Sequence, residues 1–311
     1  TSETHHNLKK IQTFLSEKGL SRERIKNQFI AITCKDSLID KTNLFREVFH
    51  IDAGVGGRFS VTSEVGTVFL SLCFGVRTIK EFLMGASDID KKSLEPNILD
   101  NPALLFALIR FWEQNILGFS AEAIIPYSHA LSLFPAHLQQ VYCESLGKSV
   151  TACGNSCDYK TSSIVFGAEG PNAQHSFFQM IHQGTQSICT HFIGVKSNTN
   201  NQEDADSDNA LLMALSAQMV ALARGQENTN KTHHFKGNHP SSAVIISTIS
   251  PYSLGALISF YENTTLFQGA CLDLNTFDQP GVELGKKLAK SLENIEKCKD
   301  KTLLNLYNSL K

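Results

Sequence analysis

At 311 residues with 42% hydrophobic content, the chain is long enough for one large or two ordinary domains with a real core, which excludes global disorder. A formal charge of -2 gives no basic footprint for nucleic acid or an anionic membrane, so a small polar or anionic ligand must be held by local charges. The eight cysteines form no dense framework and read as reduced, cytoplasmic thiols; no apolar run approaches membrane-spanning length.

In chain order, TSETHHNLKKIQTFLSEKGL opens without Met, with Thr1–Thr4 read as the back half of a loop ahead of a helix over Asn7–Lys18. QFIAITC reads as a strand, and helices follow over Val68–Leu83, Pro102–Ile116 and Ser132–Ser145. SSIVFG is a second strand, Gln174–Gln183 a helix and ICTHFIGV a third strand. The polar, acidic segment Ser197–Asn209 reads as a surface loop before a helix over Asn209–Arg224. SAVIIST is a fourth strand, and helices over Pro251–Glu262 and Pro280–Cys298 close the series. Pro251 and Pro280 suit first helical turns, while Gly19, Gly147 and Gly225 suit helix ends. This alternation predicts an α/β fold with a largely parallel sheet. A change of character near Gly54–Arg58 predicts a boundary between a short first portion and a larger second domain.

Four features carry possible chemistry, each with a bland alternative. In AGVGGRFSVTSEVG, close glycines and Arg58 could hold an anion, or form a structural turn with a surface arginine. The spacing matches neither a Walker loop nor a dinucleotide fingerprint. In FPAHLQQVYCESLGK, Phe134, Leu138 and Val141 make a core stripe, whereas Gln140 and Glu144 share the neighbouring stripe; Glu144 is a solvated carboxylate or a general base. In FGAEGPNAQHSFFQMIHQGT, His175 falls in the first turn of an amphipathic helix, as a proton carrier or a capping residue, with His182 two turns on. In NTFDQPGVELGKKLAK, Leu284, Leu288, Leu292 and Ile295 form a predicted core stripe. Lys286 lies beside Val282, Gly285 and Ala289, as a partly buried donor or one more cation. His233, His234 and His239 share a loop without convergent spacing, and Cys153 and Cys157 lack a second pair, so no metal is expected.

The segments VGGRFSVTSEVG, ESLGK, NAQHSFFQMIHQGT, GNHPSS, PYSLGALISFYEN and FDQPGVELGK resemble, in order and spacing, the glucose-6-phosphate isomerase family from Thr1 to about Lys290. The resemblance implies a sugar-isomerase (SIS) fold of three α/β/α layers around a mainly parallel sheet, plus the tail of a preceding SIS domain. It divides the chain into residues 1–61, the end of that first domain; 62–290, the second SIS domain; and 291–311, a C-terminal helix. It also implies a C-terminal portion of a longer enzyme, inactive alone. The implied activity is interconversion of glucose 6-phosphate and fructose 6-phosphate in glycolysis and gluconeogenesis, without a cofactor, by a cytoplasmic homodimer. The alternatives are a non-catalytic sugar-phosphate module or a dimerisation fragment.

By the same resemblance Glu144 matches the general base, Arg58 the residue that stabilises the enediolate, and His175 the ring-opening histidine, contributed across the dimer interface. Lys286 matches the lysine that works with it, Gln140 and Gln279 match sugar contacts, Thr1 matches a phosphate-contacting threonine, and Gly57 matches a substrate-binding position. Two departures stand out: Leu146 replaces the family's Asn in ESLGK, and Ala168 replaces a common glutamate in the turn before His175.

Overall fold

The computed structural model describes residues 2–197, 202–293, 295 and 298–311. The chain forms two compact units, Thr1–Leu94 with Ile249–Glu262, and Glu95–Thr248 with Asn263–Lys311.

In the first unit, α1 (Ser2–Glu17) and α2 (Arg22–Lys26) precede β1 (Ile30–Cys34) and β2 (Glu47–Ile51). The loop expected through Thr4 is helical from Ser2 onward, because the polar opening contains nothing that breaks a helix; Thr1 lies outside the described residues. β1 and β2 pair in parallel from Ile30 opposite Glu47 to Cys34 opposite Ile51. The short EVFHI run, with charge at one end and His50 within it, hid β2 from periodicity.

The single helix expected over Val68–Leu83 is two, α3 (Glu64–Phe74) and α4 (Val76–Lys92). Gly75 separates them with φ 85°, where a side chain would be strained, and its N–H still reaches Ser71 O at 2.9 Å. A Cβ on Gly85 would lie 1.8 Å from the Tyr252 carbonyl oxygen, and one on Gly255 would lie 1.9 Å from that of Phe82. The two glycines therefore let α4 and the 249–262 segment meet backbone to backbone. The Tyr252 hydroxyl donates to Asp88 at 2.8 Å and that of Ser259 to Asp90 at 2.6 Å along the same contact.

The second unit runs α5 (Pro102–Phe111), β3 (Ala121–Pro126), α6 (Phe134–Leu146), β4 (Ile164–Gly167), α7 (Gly170–Gln174) and α8 (Phe178–Gln183). It continues with β5 (Ile188–Val195), α9 (Gln202–Arg224), β6 (Ser241–Ile246), the end of α10 (Pro251–Cys271), α11 (Glu283–Leu292) and α12 (Lys301–Ser309). Asn101 caps α5 by accepting the Leu104 N–H at 2.9 Å, ahead of Pro102 in the first turn. The helix expected over Gln174–Gln183 is interrupted at His175, and α9 begins at Gln202 rather than after the acidic segment. Asp206 in the second turn of α9 suits the positive end of the helix dipole, a signal that absent apolar periodicity concealed. Residues 198–201 of the predicted loop lie outside the described residues.

The four strands are all parallel in the order β4-β3-β5-β6, and every residue of β5 is buried. On one face Ala123, Ile125, Tyr127 and Phe192 pack with Ala173, Phe178 and Ile181 of α7–α8 and Leu215 and Leu222 of α9. On the other, Glu122 and His191 meet Arg110 and Phe106 of α5, with Tyr142 of α6 against the Arg110 guanidinium. Helices thus cover both faces, giving the three layers that a sheet buried on both sides demands.

β3 was missed in the sequence because Glu122 interrupts its apolar run. It is buried there because Arg110 grips its carboxylate with two bonds, 3.0 and 2.5 Å. Burial pushes the Glu122 carboxyl up, and Arg110 overcomes this to bring it down to about 2. His191 extends the group, donating or accepting at Ser242 Oγ (2.7 Å), with Nε2 3.3 Å from Glu122 and 3.4 Å from Glu113. Glu113, Cys189 and His191 are close enough together to suggest a cation site. Burial and then the Glu122 charge raise the Cys189 thiol far above its ordinary value, while the thiol is spent on Ala121 O. Arg110 bonds Glu122 and Gln268 beside this group, while burial raises the Glu113 carboxyl above its ordinary value.

Candidate functional site

Glu144 stands in the last turn of α6, a helix held rigidly from below. Leu138, Val141, Tyr142, Ser145 and Leu146 of α6 are buried, and the Gln139 amide donates to Val165 O on β4 at 2.6 Å. The predicted stripe of Phe134, Leu138 and Val141 is therefore the core face. Glu144 is half-buried beside it and accepts a 3.3 Å bond from Gln140 one turn earlier. Leu146, the departure in ESLGK, fills the core with Leu272 and Leu274, which a polar side chain could not do.

The residue that sequence reasoning missed is Lys148. Its Nζ donates to Asp278 O at 2.5 Å and to Asp278 Oδ1 at 2.7 Å, and its side chain is only 11% exposed. Asn275 also donates to Asp278 (3.0 Å), Ala152 N–H to Asp273 O (2.6 Å), and the Tyr159 hydroxyl to Leu272 O (2.7 Å). Lys148, four residues beyond Glu144, thus fastens the Asp273–Gln279 loop, in which Gln279 is half-buried. The signal was present in the sequence: Lys148 closes ESLGK and Asp278 opens DQPG, but nothing in either motif says they touch.

His175 is placed differently from the expectation. It ends α7 instead of starting a helix, with its N–H on Asn172 O at 3.2 Å and its side chain exposed. Gly170 and Pro171 start a short helix on β3 before the chain turns again, which the periodicity of Gln174–Gln183 could not resolve. His182 belongs to the next helix, packs on Phe178 and Phe235, and bonds Gln218 at 3.0 Å. Lys286 is not partly buried: its side chain is 59% exposed and pairs with Glu283 at 3.0 Å. Leu284 and Ile295 of the predicted stripe are exposed and no residue of α11 is buried, so that stripe does not face a core among the described residues.

In the first unit, Arg58 lies in a single 3-10 turn, Gly57–Phe59, and is 3% exposed, which overturns the surface-arginine alternative. Its guanidinium carbon lies 5.2 Å from the Phe59 ring centre. Ser60 ties the turn by donating its hydroxyl to Gly57 O at 2.7 Å, and a Cβ on Gly57 would meet nothing within 4 Å. A cleft of about 940 Å³ in this unit, lined by Gln12, Arg22, Lys26 and Asn43 among others, contains none of the candidate residues. Thr1 lies outside the described residues.

Residues 1–309 match the phosphoglucose isomerase family. The chain belongs to the phosphoglucose isomerase family. Among its relatives, a glucose-6-phosphate isomerase of Chlamydia pneumoniae is 45% identical over 301 residues, 95% of this chain and 57% of that protein. One from Borreliella burgdorferi is 42% identical over 309 residues, 97% of this chain and 58% of that protein. The crystal structure of a glucose-6-phosphate isomerase from Chlamydia trachomatis superposes with a TM-score of 0.92 at 40% identity, covering 98% of this chain and 60% of the other. A hypothetical protein from Thermus thermophilus shares the fold, with a TM-score of 0.74 at 24% identity over 94% of this chain and 69% of the other. The chain thus spans about three fifths of the length of the curated relatives it matches.

Proposed function

We propose that this chain is the part of a glucose-6-phosphate isomerase that carries the general base, Glu144, for interconverting glucose 6-phosphate and fructose 6-phosphate. The observation that supports this most is the corner of α6. A half-buried carboxylate on a fixed helix accepts a bond from Gln140, and Lys148 just beyond it fastens the loop that carries Gln279, a second amide of the kind that holds sugar hydroxyls.

Moving an aldose to a ketose requires transfer of a proton between C2 and C1 and of another between their oxygens. Glu144 takes the C2 proton and returns it to C1 of a cis-enediol intermediate. Negative charge grows on oxygen as that proton leaves, and Arg58 stabilises it; loss of such a group costs on the order of 10²–10³ in rate. His175 and Lys286 move the proton that opens the sugar ring. Lys286 must then exchange its Glu283 partner for the substrate. Gln140, Gln279 and Gly57 bind the sugar phosphate, and Thr1 is assigned to its phosphate, which fixes the reacting carbons as a remote handle. We further propose a cytoplasmic homodimer in which His175 serves the partner's site. In this reading residues 1–61 complete a preceding SIS domain and 62–290 form the second, with α12 (Lys301–Ser309) in the C-terminal segment 291–311. Among the described residues, no helix is long and apolar enough to cross a membrane.

A coupled isomerase assay with intact-mass analysis of the same sample tests the reading. Turnover by the full-length protein, lost on Glu144→Gln, supports it; no turnover by the full-length wild type, or undiminished turnover by the variant, overturns it.

A further inference from the structure

Glu169 is a carboxylate that the mechanism above does not use, and it is 14% exposed at the entrance to α7. A carboxylate so far out of water needs partners. Its Oε2 lies 3.1 Å from Nδ1 of His129 and 3.5 Å from Nδ2 of Asn172. His129 belongs to the loop after β3, so the contact ties that loop to the turn after the neighbouring strand β4.

The rest of α7 is fastened to the same strand end. The Glu169 carbonyl accepts the Ala173 N–H at 2.8 Å, and the Gln174 amide donates to the Tyr127 hydroxyl at 3.0 Å. Gly170 is pressed on the Tyr127 ring so closely that a Cβ would come within 2.5 Å of it. A five-residue helix has no stability of its own. It holds its place through Tyr127 and Gln174 near its end and through Glu169 at its entrance, whose partner His129 is itself 90% exposed, and His175 follows immediately. Ala168, one position earlier, is half-buried against the apolar core, so the turn draws its carboxylate from Glu169.

We propose that Glu169 is a positioning residue for His175: paired with His129, its carboxylate fixes the entrance of α7 and hence where the His175 ring is presented. The proposal deepens the isomerase reading and rests on it for its kinetic consequence, though not for its structural one. Displacing a proton carrier slows ring opening but leaves the carbon chemistry at Glu144 untouched.

The test compares Glu169→Ala with Glu169→Gln, which retains an acceptor for His129, in the full-length protein. For glucose 6-phosphate, Glu169→Ala lowers kcat about tenfold or more, with KM held within about twofold, and Glu169→Gln recovers most of the loss. An aldotetrose 4-phosphate has its C4 hydroxyl esterified and no ring to open. Its C2 proton exchange in D2O stays within about twofold of wild type in either variant. In parallel, amide exchange at Ala173 and His175 accelerates in Glu169→Ala. Unchanged kcat on the hexose phosphate, or an equal loss on both substrates, overturns the positioning role. Unchanged amide exchange overturns the tie itself, even if an inactive wild type has already removed the isomerase reading.

Discussion

At the scale of single residues, the second unit buries Arg110, Glu113, Glu122 and His191 in one group, in which the Arg110 guanidinium grips the Glu122 carboxylate. Removing one member of a buried pair strands the other. Glu122→Gln should therefore cost about 3–5 kcal/mol, measured by urea unfolding. Its pH dependence has a definite sign. The Glu122 carboxyl is held at about 2 against an ordinary 4.5, so its contribution is fully present above 4.5 and is lost as pH falls through 2. Glu262 in the first unit behaves oppositely. Burial and then Asp90 raise its carboxyl to about 8, so the folded chain retains a proton that the unfolded chain releases, and stability falls as pH rises from 4.5 through 8. Glu262→Gln should raise Tm at about pH 8 and change it little at about pH 4. A loss of Tm at the higher pH would show that the charged form is accommodated.

At the scale of elements, two contacts define geometry that no single helix or strand could set. Lys148 joins the end of α6 to the Asp273–Gln279 loop, so Lys148→Met should loosen Gln279 relative to Glu144. The expected result is a KM for sugar phosphate raised severalfold, with kcat falling less, and unchanged KM would contradict it. Gly85→Ala drives a methyl into the Tyr252 carbonyl and should cost about 2 kcal/mol or more, read as a lower Tm.

These elements also show what could be read in advance. The core stripe of α6 was legible because Leu138 and Val141 repeat at helical spacing against an apolar sheet. β3 was not, because Glu122 is explained only by Arg110 on another element. Nor was the break at Gly75, since a glycine inside an apolar helical run looks like a tolerated one until its positive φ is known. His175 lay between these cases: its motif was visible, but its place at the end of α7 depends on Tyr127 and His129, 48 and 46 residues earlier in the chain. The small neighbours of Lys286 leave it open between a partly buried donor and a surface cation, because spacing carries no information on whether another surface covers them.

At the scale of the whole molecule, family membership and fold rest on the match across residues 1–309 and on the close superposition with a solved relative. The chain's share of its relatives' length, about three fifths, makes activity a property to be tested in the full-length protein. The central claim is that Glu144 moves the carbon-bound proton. The most direct measurement is deuterium incorporation at C2 of the sugar phosphate in D2O, comparing full-length wild type with Glu144→Gln. The account predicts exchange in the wild type and none in the variant, with sugar-phosphate binding retained within about a few fold. Exchange at an undiminished rate in Glu144→Gln would contradict it.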